Sequence, residues 1–116
     1  MELLNKTESE ILDIVTPIAN NMIEAWSNDD YENFIKYFIE QHRNSLDLET
    51  FSTQRSWVSD LGTYTLNKLV TVHINPDNIV IIWKIGFANR SELGIGVYRF
   101  KEENNQTMVQ SCIYFK

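Results

Sequence analysis

Residues 61–116, LGTYTLNKLVTVHINPDNIVIIWKIGFANRSELGIGVYRFKEENNQTMVQSCIYFK, decide the fold. They read as four strands joined by short turns: TYTLNKLVTVHI, NIVIIWKIGFA, LGIGVYRFK and QTMVQSCIYF. Alternation with a period of two puts alternate side chains on opposite faces of a sheet. In the first strand Tyr64, Leu66, Lys68, Val70, Val72 and Ile74 share a face, with Leu69 and His73 on the other. The second strand sets Ile79, Ile81, Trp83, Ile85 and Phe87 against Val80, Ile82 and Lys84. The third sets Ile95, Val97 and Arg99 against Tyr98 and Phe100, and Gly94 and Gly96 indicate a bulge or a close backbone contact there. The fourth alternates Met108, Cys112 and Tyr114 with Val109, Ile113 and Phe115. The turns Asn75-Pro76-Asp77-Asn78, Asn89–Glu92 and Glu103-Asn104-Asn105-Gln106 carry residues that preset turn geometry. Connections this short make neighbouring strands antiparallel, since a parallel crossover needs a dozen or more residues.

Working back toward the N-terminus, the first 60 residues read as helices. Thr7 and Glu10 fit a capping box, followed by Ile11, Val15, Ile18, Met22 and Trp26 at helical spacing. Pro17 predicts either a kink or a fresh start capped by Thr16. Asp29 with Glu32 repeats the capping pattern. Tyr31, Phe34, Ile35, Phe38 and Ile39 then form an aromatic stripe on a helix expected to end near His42. Asp47 caps a third helix, with Leu48, Phe51, Val58 and Leu61 on one face and Gly62 as a left-handed residue after its end. Helices segregated ahead of strands predict an α+β fold. Three N-terminal helices pack on one face of a curved four-stranded antiparallel sheet, and residues 1–116 form a single domain.

Composition narrows the function classes. At 43% hydrophobic and 12% aromatic residues, the 116-residue chain is globular rather than disordered. The single cysteine, Cys112, excludes an internal disulfide and fits a reducing, cytoplasmic setting. No apolar run is long enough to cross a membrane, and the acidic N-terminus lacks the pattern of a signal peptide. A net charge of −6 with scattered basic residues disfavours nucleic acid. Two histidines and one cysteine in separate elements give no metal-ligand spacing, so neither metal nor other cofactor is expected. No serine or cysteine stands in a nucleophile elbow.

The order of elements, together with AWSNDDYENFIKYF (Ala25–Phe38), resembles the nuclear transport factor 2-like (SnoaL-like) superfamily. In that segment a tryptophan ends the first helix, an acidic turn comes after it, and an aromatic helix comes next. The resemblance covers nearly the whole chain and implies a cone-shaped, cystatin-like fold. It also implies a homodimer through the open sheet face, an arrangement common in that group. The group includes ketosteroid isomerases, scytalone dehydratase, polyketide cyclases, ligand binders and interaction modules, so fold does not choose function. Its isomerases use a tyrosine on the first helix and an aspartate on a loop after the second. Here the first helix has no tyrosine, and Gln41–Ser45 offers no carboxylate. The dehydratase pattern needs histidines on the concave face, whereas His73 lies on the face opposite the apolar residues. Inherited catalysis is therefore not expected, and no catalytic residue is assigned.

Individual residues carry two readings each. Trp57, Tyr64 and Trp83 suit the lining of a small-molecule pocket, or are core. Lys68 is a buried cation seeking an anion, or is turned outward by a bulge near Asn67. Arg99 anchors an anionic ligand if its face is concave, or is an ordinary surface arginine. His42 is a proton shuttle at the mouth of the cone, or a helix C-terminal residue against the dipole. Strands apolar on both faces need a second cover, so Val80, Ile82, Tyr98 and Phe100 are expected at a homodimer interface. Together these features read as a non-catalytic homodimeric module binding a small apolar ligand or a protein partner. The alternatives are a small proton-transfer enzyme using residues such as Lys68, Tyr64 or Asp60, and an acidic inhibitory protein of the immunity type.

Overall fold

The computed structural model describes residues 3–116. Four helices, α1 (Glu8–Ser27), α2 (Tyr31–Phe34), α3 (Glu40–Ser45) and α4 (Leu48–Trp57), precede four strands. These are β1 (Tyr64–Ile74), β2 (Ile79–Phe87), β3 (Arg90–Glu103) and β4 (Gln106–Phe115). The strands form one antiparallel sheet in the order β1-β2-β3-β4, as hairpin-length turns require. The helices cover one face of this curved, unclosed sheet.

The caps of α1 and α4 sit where the sequence puts them, but α2 is capped by Asp30, which accepts from Asn33 N–H at 3.3 Å, and not by Asp29, which pairs with Arg55 instead. Glu10 N–H donates to Thr7 Oγ1 at 3.2 Å, and Thr7 N–H donates back to the Glu10 carboxylate at 2.9 Å. Asp47 accepts from Thr50 N–H at 2.8 Å. Asn104 and Asn105 hold positive φ angles of 54° and 64° in the β3–β4 turn. Helix α1 runs unbroken through Pro17, which is exposed. Water can therefore satisfy the Asp13 carbonyl that the proline leaves without a donor.

Other expectations need correction. The second helix is not one helix to His42 but two short ones. Between them the backbone is drawn to the sheet edge: Val109 N–H donates to the Tyr37 carbonyl at 2.6 Å, and Ile39 N–H donates to the Val109 carbonyl at 3.0 Å. An edge strand with unpaired backbone groups outcompetes one helical turn for those bonds. The aromatic stripe survives, with Phe34, Ile35, Phe38 and Ile39 all buried. Gly62 comes after a short 3₁₀ turn rather than after α4 itself. Its φ of 76° and ψ of −153° lie outside the left-handed helical region, in backbone territory that glycine alone readily occupies.

In β1 the register shifts between Leu66 and Lys68 and again between Leu69 and Thr71. Each shift inserts a residue and reverses the face of the residues beyond it. Leu66, Leu69 and Val72 consequently share the helix-covered face, and Lys68 is turned to the open one, opposite Lys84. In β3 the register pairs Tyr98 with Ile81 and Phe100 with Ile79, and all four are fully buried. Tyr98 and Phe100 are therefore core residues, not interface residues. Ile95 and Val97 instead lie on the open face with Val80 and Ile82. Gly94 is obligatory at its crossing. A Cβ there would stand 2.2 Å from the Phe115 carbonyl oxygen and 2.6 Å from the Phe87 ring.

Trp26 joins the layers. Its ring lies 5.5 Å from both Phe34 and Phe51, and 6.0 Å from both Tyr64 and Tyr114. Arg55 ties α4 to the end of α1, donating to the Trp26 carbonyl at 2.6 Å and pairing with Asp29 at 3.1 Å.

Candidate functional site: the cavity beneath helix α4

Helices that cover a sheet with a short, bent layer leave space where the layer turns. Here α2, α3 and α4 leave a cavity of about 430 Å³ against β1 and β4. Trp26, Phe34 and Phe38 form its apolar wall, and Tyr64, Cys112 and Tyr114 line its sheet side. His42, Ser45, Thr50 and Gln54 bring polar groups from α3 and α4. The size and the mixture of aromatic wall and few polar groups match small-molecule sites, which run to roughly 300–1,000 Å³.

The titratable groups in this wall are held neutral. Burial lowers the pKa of His42, whose ring stacks on Phe38 with centroids 4.0 Å apart. Burial also raises Tyr64, and the nearby Trp26 indole opposes it in part. Burial holds Tyr114 and Tyr98 well above the usual phenol value, and their hydroxyls meet at 2.6 Å. The Cys112 thiol between these strands is pushed up to about 12, again chiefly by burial. No carboxylate and no lysine lines the cavity among the described residues. The wall can thus donate hydrogen bonds from phenols and present an imidazole, but it holds no charged acid–base pair at neutral pH.

Of the residues singled out from sequence, Trp57 and Tyr64 line this cavity. Trp57 does so from the rim, 70% exposed. Trp83 is buried in the core, its ring 5.2 Å from and nearly perpendicular to that of Tyr98, and does not line the cavity. Lys68 is exposed on the open sheet face. Arg99 is exposed on the same face as Val80 and Val97 and also borders a second cleft beside α3. Asp60, also exposed, is not among the lining residues, so Tyr64, Lys68 and Asp60 do not converge. His42, Cys112 and Tyr114 complete the wall. Sequence reasoning weighed the first two and took Tyr114 only as part of an alternating strand. The phase of β4 relative to the helices would have been needed to find it.

No described helix is long and apolar enough to cross a membrane. No group of three or more histidine, cysteine, aspartate or glutamate side chains suited to a metal ion occurs among the described residues.

No protein-family model and no curated protein matches this chain. Solved structures do. An NTF-2 like protein of unknown function from Shewanella oneidensis superposes with a TM-score of 0.62 at 8% identity, over 88% of this chain and 96% of that one. An NTF2-like protein of unknown function from Pseudomonas putida gives 0.62 at 11% identity, over 95% and 89%. A domain of unknown function with a cystatin-like fold from Nostoc punctiforme gives 0.59 at 12%, over 95% and 78%. At such identities the likeness shows a shared fold.

Proposed function

We propose that this chain, which has the nuclear transport factor 2-like fold, is a non-catalytic module that holds a small, largely apolar ligand in its cavity. The observation that carries this reading is the cavity wall: aromatic on most sides, with neutral phenol and imidazole groups and no carboxylate. A catalytic proton transfer needs an acid or base whose pKa lies near the working pH. Burial moves the Tyr64, Tyr114 and Cys112 groups away from that range and keeps His42 in its neutral form. Such a wall suits a flat apolar molecule bearing one hydroxyl or carbonyl, which a phenol can meet.

The experiment is native mass spectrometry of freshly purified protein, and then a tryptophan-fluorescence titration with 2-naphthol. We expect 2-naphthol to quench Trp26 and Trp57. Thr50→Phe, which fills the cavity from α4, should weaken binding at least tenfold, and Tyr64→Phe should weaken it several-fold. Binding unchanged in both variants would overturn the reading.

The open sheet face supports a second part of the proposal, pairing with another copy of the chain. Val80, Ile82, Ile95 and Val97 share this face with Ile113 and Phe115, which are 53% and 55% exposed. A contiguous apolar surface of this kind marks an interaction site more often than bare solvent-facing sheet.

A further inference from the structure

A second cleft, of about 380 Å³, lies between α3 and the β3–β4 edge. Three independent features converge in it. The first is a bulge. Arg99 pairs with Ser111 and Phe100 with Val109, so Gln110 is an extra residue on β4. Bulges re-aim side chains, and Gln110, Ser111 and Arg99 all line this cleft. The second feature is unmet hydrogen-bonding capacity. Among the described residues, the buried side-chain polar atoms without a partner are His42 Nε2 and Gln110 Oε1. Both residues belong to this cleft. Buried polar atoms are paired in the large majority of cases, so two orphans in one place call for an explanation. The third is Arg99, which makes no salt bridge among the described residues.

The donor and acceptor roles come from the neighbours. Ser45 Oγ donates to the His42 carbonyl at 2.7 Å. With that hydrogen engaged, it meets His42 Nδ1, 3.5 Å away, as an acceptor. This favours the tautomer with the proton on Nδ1 and leaves Nε2 an acceptor. The cleft thus offers one guanidinium and two acceptors.

We propose that this cleft is a second ligand site, for a small carboxylate that also carries a hydrogen-bond donor, as hydroxy and amino acids do. Arg99 takes the carboxylate through its planar fork. His42 Nε2 and Gln110 Oε1 accept from the hydroxyl or ammonium group. A carboxylate without a donor, such as acetate, satisfies Arg99 alone and leaves the two acceptors unmet, so it fits less well. His42 and Ser45 also line the α4 cavity, so the two spaces share a wall, but the proposal does not rest on the function proposed for that cavity.

The test is a titration of the full, ¹⁵N-labelled chain at neutral pH and constant ionic strength with four probes: L-serine, L-lactate, acetate and ethanolamine. L-Serine, L-lactate or both should bind at least tenfold tighter than acetate and ethanolamine, shifting the amides of His42, Gln110 and Ser111. L-Lactate binding as tightly as L-serine shows that a hydroxyl suffices as the donor. Arg99→Gln alters an exposed residue and Gln110→Leu removes an unpartnered acceptor, so both variants should fold. Each should weaken binding at least tenfold, and Trp57→Ala, in the other cavity, should leave it unchanged. Absence of localised shifts into the tens of millimolar would overturn the proposal. So would acetate or ethanolamine binding as tightly as L-serine and L-lactate, or wild-type binding by Arg99→Gln.

Discussion

Burial governs the chemistry of individual side chains here. Cys112 is the clearest case: a thiol with a pKa pushed up to about 12 carries almost no thiolate near neutrality. Iodoacetamide at pH 8 should leave Cys112 unmodified in the native protein and label it only after denaturation, as read by intact mass. Prompt native labelling would show the thiol to be accessible and ionisable. His42 makes a prediction with a definite sign. Its pKa is lowered by burial, so between the folded value and the unfolded value of about 6.5 the unfolded chain binds more protons. Stability should therefore rise with pH through that window, and be lost as pH falls below about 6.5 until the folded group also protonates. The difference in unfolding free energy between wild type and His42→Gln, measured by denaturant titration from pH 8 to pH 5, isolates this effect from the carboxylates. A difference that stays flat, or grows toward acid in favour of the wild type, would contradict it.

Elements show where local sequence rules won and where they lost. The N-caps at Thr7 and Asp47 were legible because a cap is a contact between residues three apart. The break after Phe34 was not, because its cause, a bridge from Phe38 to Val109, joins residues distant in sequence. The bulges of β1 were equally hidden. A simple alternation puts Lys68 among the inward residues, but the inserted residues turn it away. Pro17 yields a prediction at this scale. It occupies an exposed position inside an otherwise regular helix, where it removes one hydrogen bond and crowds the preceding turn. Pro17→Ala should stabilise the protein by about 1–3 kcal/mol, visible as a raised thermal midpoint. A lowered midpoint would mean that the proline rigidifies a helix already shaped to hold it.

At the scale of the whole molecule, the open sheet face joins an apolar centre to a basic margin. Ile82, Val97 and Ile113 form one cross-strand row. Lys68, Lys84 and Arg99 lie on either side of it, although the chain as a whole carries −6. Packing two such faces about a two-fold axis sets cations of one copy near cations of the other, whether the axis runs along the strands or across them. The apolar row must drive the pairing and charge must oppose it. Salt screens the opposing part, with a screening length near 10 Å at about 0.1 M. Sedimentation should thus show tighter dimers as salt is raised, and Val97→Asp should leave a folded monomer. Dimers that loosen with salt, or that persist in Val97→Asp, would place the contact elsewhere.

The sequence by itself determined the fold class, the order of helices and strands, the antiparallel pairing and the first and last turns. Each of these depends on periodicity or on contacts within a few residues. The β2–β3 turn, expected at Asn89–Glu92, instead falls at Ala88–Asn89 and leaves Arg90–Glu92 in β3. The sequence also brought Trp57 and Tyr64 forward as cavity residues. Which face of each strand is covered was decided only in three dimensions. One inserted residue in β1, or one change of phase in β3, reverses the face of every residue beyond it. Such a reversal turned Lys68 to the open face, the phase of β3 against β2 put Tyr98 and Phe100 in the core, and the extra Gln110 on β4 lies with Arg99 and His42 in the cleft. The cavity and the cleft are likewise tertiary. They exist because the bent helical layer and the bulged edge strand do not meet flush, and no local pattern in either one records that gap.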